Sequence, residues 1–112
     1  MSDKAQILSE ASTFILLALA EPLHGYGILK KVEQMSAGRV RLGPGTLYGA
    51  LNKMVKKGWI SPLPAQNGAR RKLYKLTARG HAQLQSEIAR LTALVGYGEA
   101  ALAAWKNARK VI

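Results

Sequence analysis

Residues 43–58 read GPGTLYGALNKMVKKG, a stretch that contains the start, the end and both faces of one predicted helix. Pro44 suits the first helical position, where its missing N–H loses no hydrogen bond, and the Lys57-Gly58 pair marks the end. Apolar residues recur at helical spacing along one side. The predicted buried face consists of Leu47, Ala50, Leu51, Met54 and Val55.

The opposite face of this helix has no acidic side chain and contains two glycines. Glycine lets a helix approach another molecule closely, asparagine can pair with adenine, and lysine can reach guanine or a phosphate. The free N–H groups at the start of a helix also attract phosphate. The pattern therefore predicts a DNA-binding face. Its candidate residues are Gly45, Thr46, Tyr48, Gly49, Asn52, Lys53 and Lys56.

Two further helices are predicted before this one. The first covers residues 4–20 and ends at Pro22, because the residue before a proline avoids the helical region. The second opens at residues 24–27, HGYG, and ends before Gly38, which tolerates a positive φ. The candidate caps of the first helix are Ser2 and Asp3.

After residue 58 the pattern changes from helical to extended. Residues 59–63 and 73–76 predict the two strands of a β-hairpin, and Asn67-Gly68 between them favours a tight turn. Three consecutive bases on the returning arm place charge on both faces of the strand, which is more than one solvated face needs. We expect these bases, Arg70, Arg71 and Lys72, to hold DNA phosphates and so to give affinity without sequence specificity.

Thr77 caps a long last helix, in which apolar residues alternate at spacings of four and three. A helix of about thirty residues is about 45 Å long, more than the small domain before it could cover, so the apolar seam predicts a homodimer. Gly96 and Gly98 indicate a kink, a close helix crossing or the start of a separate short helix, and the sequence leaves these three open. The predicted dimer residues are Leu84, Ile88, Leu91, Val95, Gly98, Leu102 and Trp105.

The formal net charge of the 112-residue chain is +11, which favours polyanionic partners. Its six acids leave the stretch from Gln34 to Ser86 without a carboxylate, whereas that stretch has ten lysines and arginines. Positive potential is therefore concentrated in the middle of the chain, where the helix of residues 43–58 and the hairpin lie.

Composition also excludes several classes of protein. The chain has no cysteine, and its two histidines lack carboxylates at ligand spacing, so we predict no metal site, no cofactor and no enzyme. The longest apolar run, residues 14–20, is too short to span a membrane. The N-terminal residues lack a secretion signal, and we expect a cytoplasmic protein.

Three helices, a hairpin and a long closing helix are the layout of a winged helix-turn-helix domain, which is mostly α with a small β-hairpin. In this layout the third helix enters the major groove of DNA. We predict that residues 1–77 form the DNA-binding domain and residues 78–112 the dimerisation helix.

The order and spacing of four segments, together with Gly80, resemble the PadR family of regulators. The segments are HGYGI at 24–28, GPGTLY at 43–48, KGWI at 57–60 and RRKLYKLT at 70–77. The resemblance spans about residues 12–92. It implies a winged helix domain, a C-terminal dimerisation helix, and repression of a nearby promoter that a small, often aromatic, ligand relieves.

One residue departs from the multidrug-sensing members of this family, in which a tryptophan lines the centre of the dimer. The matching position here is Leu91, so we expect no flat-drug site there. A candidate effector site lies instead near Gly96, Gly98 and Trp105, because two missing side chains beside an indole would open space at an apolar interface. The rival interpretation is that Trp105 simply fills the interface.

These observations predict a ligand-responsive repressor that binds a two-fold symmetric site on double-stranded DNA. Two alternatives stay open. A non-specific, nucleoid-type DNA binder needs the same positive potential but reads no bases. A protein-interaction module would use the long helix to bind a partner helix.

Overall fold

The computed structural model describes residues 7–64 and 72–111. It is mostly helical with a small antiparallel sheet and a long C-terminal helix, which confirms the predicted fold class. In chain order the elements are α1 (Glu10–Ala18), β1 (Leu23–His24), α2 (Gly25–Met35), α3 (Pro44–Lys56), β2 (Ile60–Leu63), β3 (Leu73–Leu76) and α4 (Ala78–Val111).

Helix α1 begins later than its apolar pattern predicts. Its first residue is Glu10, because Ser9 takes the N-cap position and its Oγ accepts a hydrogen bond from the N–H of Ser12 at 3.1 Å. Leu8 lies before the helix and is still buried, so its apolar side chain serves the core and not a helical stripe. The prediction that this helix begins at residue 4 was therefore wrong. The predicted caps, Ser2 and Asp3, lie outside the described residues.

The ends of α2 and α3 lie close to where their caps predict. His24 Nδ1 accepts a hydrogen bond from the N–H of Gly27 at 3.1 Å and so caps α2. Gly38, three residues after α2, has φ of +79°. Gly43 is the N-cap of α3, with Pro44 in its first turn, and Gly58 follows the helix with φ of +77°.

The sheet contains the predicted hairpin and one strand that the sequence did not predict. Strands β2 and β3 pair antiparallel, with Ile60 opposite Leu76 and Leu63 opposite Leu73. The two residues of β1 pair with the other edge of β3, where Leu23 lies opposite Tyr74. Two residues are too few to show an alternating pattern, so β1 is recognisable only from its partner. The predicted turn at Asn67-Gly68 lies outside the described residues.

One core joins α1, α2, α3 and the sheet. Of the face predicted for α3, Leu47, Leu51 and Met54 are buried, while Ala50 and Val55 are partly buried. The core side of α3 therefore agrees with its helical periodicity, and its other side is left at the surface. The largest fully buried side chains are Ile15, Leu16, Leu19, Ile28, Val32, Leu47, Leu51 and Ile60.

Helix α4 is continuous over 34 residues, including Gly96 and Gly98, which excludes a separate short helix at those glycines. Thr77 caps it as predicted, because its Oγ1 accepts a hydrogen bond from the N–H of Gly80 at 3.0 Å. Gly80 is buried, and a methyl group there would overlap the backbone carbonyl of Trp59. None of the helices in the described ranges is long and apolar enough to cross a membrane.

The carboxylate of Glu87 ties α4 to the segment before α1. It accepts hydrogen bonds from Arg90 Nε at 3.0 Å and from Arg90 Nη2 at 2.5 Å, and another from the N–H of Leu8. The Arg90 hydrogen bonds, with a smaller contribution from Leu8, lower the pKa of Glu87 although burial of its side chain opposes this. Glu87 therefore stays ionised and holds Leu8 against α4.

Candidate nucleic-acid interface

The face of α3 that was predicted to bind DNA lies at the surface. All seven of its candidate residues are exposed, and between Gly45 and Lys56 the helix has no acidic side chain. Lys53 and Lys56 form no ion pair with any residue that the structure describes. The structure therefore brings these residues together on one open, positively charged face.

The two glycines of this face are not required by the fold. A methyl group on Gly45 or Gly49 would meet nothing within 4 Å, and neither residue has a positive φ. A larger side chain would therefore fit at either position within the chain itself. What the glycines provide is a flat helix surface that another molecule can approach closely.

Two arginines of the linker between α2 and α3 form ion pairs with glutamates. Arg39 Nη2 lies 2.7 Å from Glu10 Oε2, and Arg41 Nε lies 3.2 Å from Glu33 Oε1. All four side chains are more than half exposed, so the pairs add little stability. Each of these two carboxylates is therefore paired with an arginine of the linker.

The hairpin meets α3 across an open cleft of about 580 Å³. Lys72, just before β3, and Asn52 of α3 both line this cleft, and both side chains are exposed. The structure thus places one predicted phosphate contact beside one predicted base contact. The other two hairpin candidates, Arg70 and Arg71, lie outside the described residues.

Tyr48 differs from its neighbours on α3 because its ring packs against the start of α2. A methyl group on Gly25 would lie only 2.8 Å from Tyr48 Cζ and would overlap its hydroxyl. Burial and, secondarily, the nearby Tyr48 raise the pKa of Tyr74, which lines the same cleft. Tyr48 is therefore at a junction of α2, α3 and β3. Sequence reasoning missed this junction because its members are far apart along the chain.

A second groove, of about 500 Å³, borders the other side of the α3 face. Gly45, Gly49 and Lys53 line it together with Ile7, whose side chain is 74% exposed. At its far end Lys57 Nζ lies 5.1 Å from the centre of the Trp59 ring, a cation–π contact. The α3 face therefore has an aromatic, polar side near Tyr48 and a small-residue side near Gly49.

No part of the chain that the structure describes covers the second half of α4. From residue 92 to residue 110 every side chain is exposed, including large apolar ones. Of the predicted dimer residues, Leu84 is partly buried against the core of its own subunit, whereas Ile88 is 42% exposed. The exposed apolar side chains beyond it are Leu94, Val95, Tyr97, Leu102 and Trp105.

The continuity of α4 changes the predicted effector site. At about 100° per residue, Gly98 lies on the same side of the helix as Trp105, while Gly96 lies about 180° from Trp105. The two glycines therefore do not both open space beside the Trp105 indole. The candidate effector site is reduced to Gly98 and Trp105. Arg109 stacks on the Trp105 ring, with Cζ 4.6 Å from its centre.

Comparison with known proteins identifies the class of this fold. The family model described as "Transcriptional regulator PadR-like family" matches residues 15–86, so the chain belongs to the PadR-like family of transcriptional regulators. The resemblance carried by its sequence motifs is thereby confirmed.

Two solved structures of this family are similar to the chain in fold. A PadR family transcription regulator from hypervirulent Clostridium difficile R20291 has a TM-score of 0.71 at 23% identity, with 84% of this chain and 99% of that chain covered. A PadR-like transcriptional regulator from Bacillus cereus strain ATCC 14579 has a TM-score of 0.67 at 21% identity, with coverage of 82% and 89%.

A curated relative is an uncharacterized 37.1 kDa protein in transposon TN4556 of Streptomyces fradiae. It is 39% identical over 89 residues, which are 79% of this chain and 25% of the relative. The chain therefore spans about a quarter of the length of that protein.

Proposed function

We propose that this chain is a sequence-specific DNA-binding regulator that acts as a homodimer on a two-fold symmetric operator. The observation that carries the proposal is the exposed, acid-free face of α3, on which two open glycines lie beside an asparagine and a lysine. Membership of a family of transcriptional regulators supports it.

In this proposal the two sides of the interface have different tasks. Asn52 and Lys53 are on the exposed face of an α-helix, an element that the major groove is wide enough to admit, so they read base edges. The start of α3 and the hairpin bases hold phosphates, which orients the domain without reading sequence. The cleft between Asn52 and Lys72 brings the two tasks within one binding surface.

The proposed dimer is supported by the bare half of α4. Five large apolar side chains between residues 94 and 105 are each more than half exposed, an apolar surface that a soluble monomer rarely leaves open. A second copy would cover it with an identical stripe and would also double the α3 faces. Two copies of α3 about 34 Å apart would reach successive major grooves on one side of DNA.

We further propose that the regulator is a repressor and that a small aromatic effector binds the dimer face beside Gly98 and Trp105. Such an effector lowers operator affinity when it binds better to the spacing of the α3 pair that does not fit DNA. Tryptophan fluorescence tests this site with planar aromatic compounds as probes. Quenching that Trp105→Ala abolishes and Trp59→Phe keeps supports the site, and quenching that follows Trp59 contradicts it.

The main test of function is selection of binding sites from random duplexes with the purified chain, followed by titration of the selected and a scrambled duplex at one salt concentration. A selected site with two-fold symmetry, bound about a thousandfold more tightly than the scrambled duplex, supports the proposal. Equal affinity for both duplexes would indicate a nucleoid-type binder. Absence of binding at low salt would favour a protein-interaction module that uses α4.

A further inference from the structure

We propose that Tyr48 acts as a positioning residue that sets the orientation of α3, and that Gly25 is a glycine because the Tyr48 ring occupies the space of its side chain. This role differs from the DNA contact that the exposed face of α3 predicts for Tyr48. It rests on the proposed function, because orientation matters here for reading DNA.

The packing of Gly25 shows how closely the two residues fit. A methyl group there would lie 3.2 Å from Cε1 of Tyr48, which is a tight contact, and 2.8 Å from Cζ, which is closer than real side-chain carbons approach. Gly25 is buried and has no positive φ, so its backbone conformation would itself accept alanine. The tyrosine ring is therefore the obstacle to a side chain at this position.

Gly27, two residues further along the same turn of α2, provides the contrast. A methyl group there would have its nearest neighbours at 3.5 Å, on His24 and Leu23, which is ordinary contact. The backbone N–H of Gly27 donates a hydrogen bond to His24 Nδ1, and a methyl group on Gly27 would leave this hydrogen bond in place. Of these two glycines, only Gly25 is sterically tied to α3.

Tyr48 also lies near the sheet. Tyr74 of β3 is buried and lines the same cleft as Tyr48. Strand β3 is the central strand, pairing with both β1 and β2. Tyr48 thus packs on the start of α2 and shares a cleft with the central strand of the sheet.

The consequence for DNA reading follows from the geometry of a helix. Asn52 lies one turn after Tyr48 and lines the same cleft. If α3 rolled by about 20° after losing this anchor, an atom about 6 Å from its axis would move about 2 Å. That shift takes a base contact out of hydrogen-bond range, whereas long, flexible lysines can still reach phosphates. Loss of the anchor should therefore reduce specificity more than affinity.

The test uses Gly25→Ala, which keeps every group of Tyr48 but displaces its ring, with Gly27→Ala as the matched control. Each full-length variant is titrated with the selected duplex and a scrambled one at several salt concentrations. We expect Gly25→Ala to lower the ratio of the two affinities about tenfold, with scrambled-duplex binding and the salt slope unchanged. Gly27→Ala and the conservative Tyr48→Phe, which keeps the ring, should stay within about twofold of the wild type.

A thermal double-mutant cycle without DNA tests the docking itself. Because the three atoms nearest to a methyl group at position 25 all belong to Tyr48, most of the loss of stability caused by Gly25→Ala should disappear when Tyr48→Ala is also present. Additive effects of the two substitutions would overturn the docking.

Two binding results would separate the failure of this assignment from the failure of the proposed function. If the wild type discriminates between the duplexes and Gly25→Ala discriminates equally well, the positioning role is wrong and the proposed function stands. A uniform loss in Tyr48→Phe likewise overturns positioning, in favour of a hydroxyl contact with DNA. If the wild type binds no duplex, the proposed function is wrong, and the positioning role of Tyr48 is wrong as well.

Discussion

Two identical substitutions in α4, Gly80→Ala and Gly96→Ala, should change stability in opposite directions. Gly80 lies against the backbone of Trp59, and a methyl group there would overlap the Trp59 carbonyl oxygen and lie 2.8 Å from its carbon. That oxygen accepts a hydrogen bond from the N–H of Thr77 at 3.0 Å, so it has little freedom to move. A methyl group on Gly96 would meet nothing within 4 Å.

The magnitudes follow from these surroundings. Forcing a methyl group into a packed site costs about 1–3 kcal/mol, and weakening the Thr77 hydrogen bond adds about 1 kcal/mol. Replacing glycine with alanine inside a helix returns at most about 1 kcal/mol, and less in the first turn, where Gly80 lies. The net loss for Gly80→Ala is therefore about 2–3 kcal/mol, whereas Gly96→Ala gains up to about 1 kcal/mol.

Thermal unfolding by circular dichroism measures both variants against the wild type at one protomer concentration, because self-association would shift Tm. For a domain of this size, about 1 kcal/mol corresponds to about 4–8 °C. We expect Gly80→Ala to melt about 10–20 °C lower and Gly96→Ala a few degrees higher. A Gly80→Ala variant with wild-type Tm would refute the close packing of α4 on Trp59.

Three further predictions concern DNA reading, acid stability and association. Asn52→Ala should cost about 1–3 kcal/mol of binding free energy through the base pair at one position of the selected site only. Arg71→Ala should weaken binding to all duplexes alike and flatten the salt dependence of affinity. Uniform losses in both variants would contradict the division of tasks. Because the pKa of Glu87 is lowered in the folded chain, its stabilising effect is present above the unfolded pKa and is lost as the pH falls below about 4. Glu87→Gln should therefore be less stable than the wild type at pH 7, with a gap that narrows in acid in melting curves, and a gap that is independent of pH would contradict this. Gly98→Ala should alter dimer affinity in sedimentation experiments, whereas Gly96→Ala, on the far side of α4, should not, and equal effects would show that the Trp105 side is not the dimer face.

Local sequence determined most of the elements and the exposed face of α3. Pro44 and Gly58 mark the two ends of α3, and the spacing of Leu47, Leu51 and Met54 assigns its buried side. These signals act within a turn or two of helix, through φ preferences and apolar periodicity, so they can be read from neighbouring residues alone. The position of the DNA-binding candidates follows, because they occupy the side of α3 that this spacing leaves out of the core.

Where a signal was ambiguous, a tertiary or capping contact decided the outcome. Apolar periodicity extends α1 through Leu8, but Ser9 caps the helix after it, and Leu8 is held instead by the core and by the carboxylate of Glu87. The continuity of α4 through Gly96 and Gly98 was likewise open, because each glycine weakens a helix by only about 1 kcal/mol. That continuity then placed the two glycines on opposite sides.

Contacts between distant residues were decided only by the tertiary structure. Strand β1 exists because Leu23 finds Tyr74 as a partner, and Gly25 must be small because Tyr48 comes to lie over it. Neither pair leaves a pattern along the chain, since the partners belong to different elements and meet only after those elements pack. Local signals along the chain therefore predict the four helices, the β2–β3 hairpin and the exposed side of α3, whereas strand β1 and the orientation of that side depend on how α2, α3 and the sheet pack together.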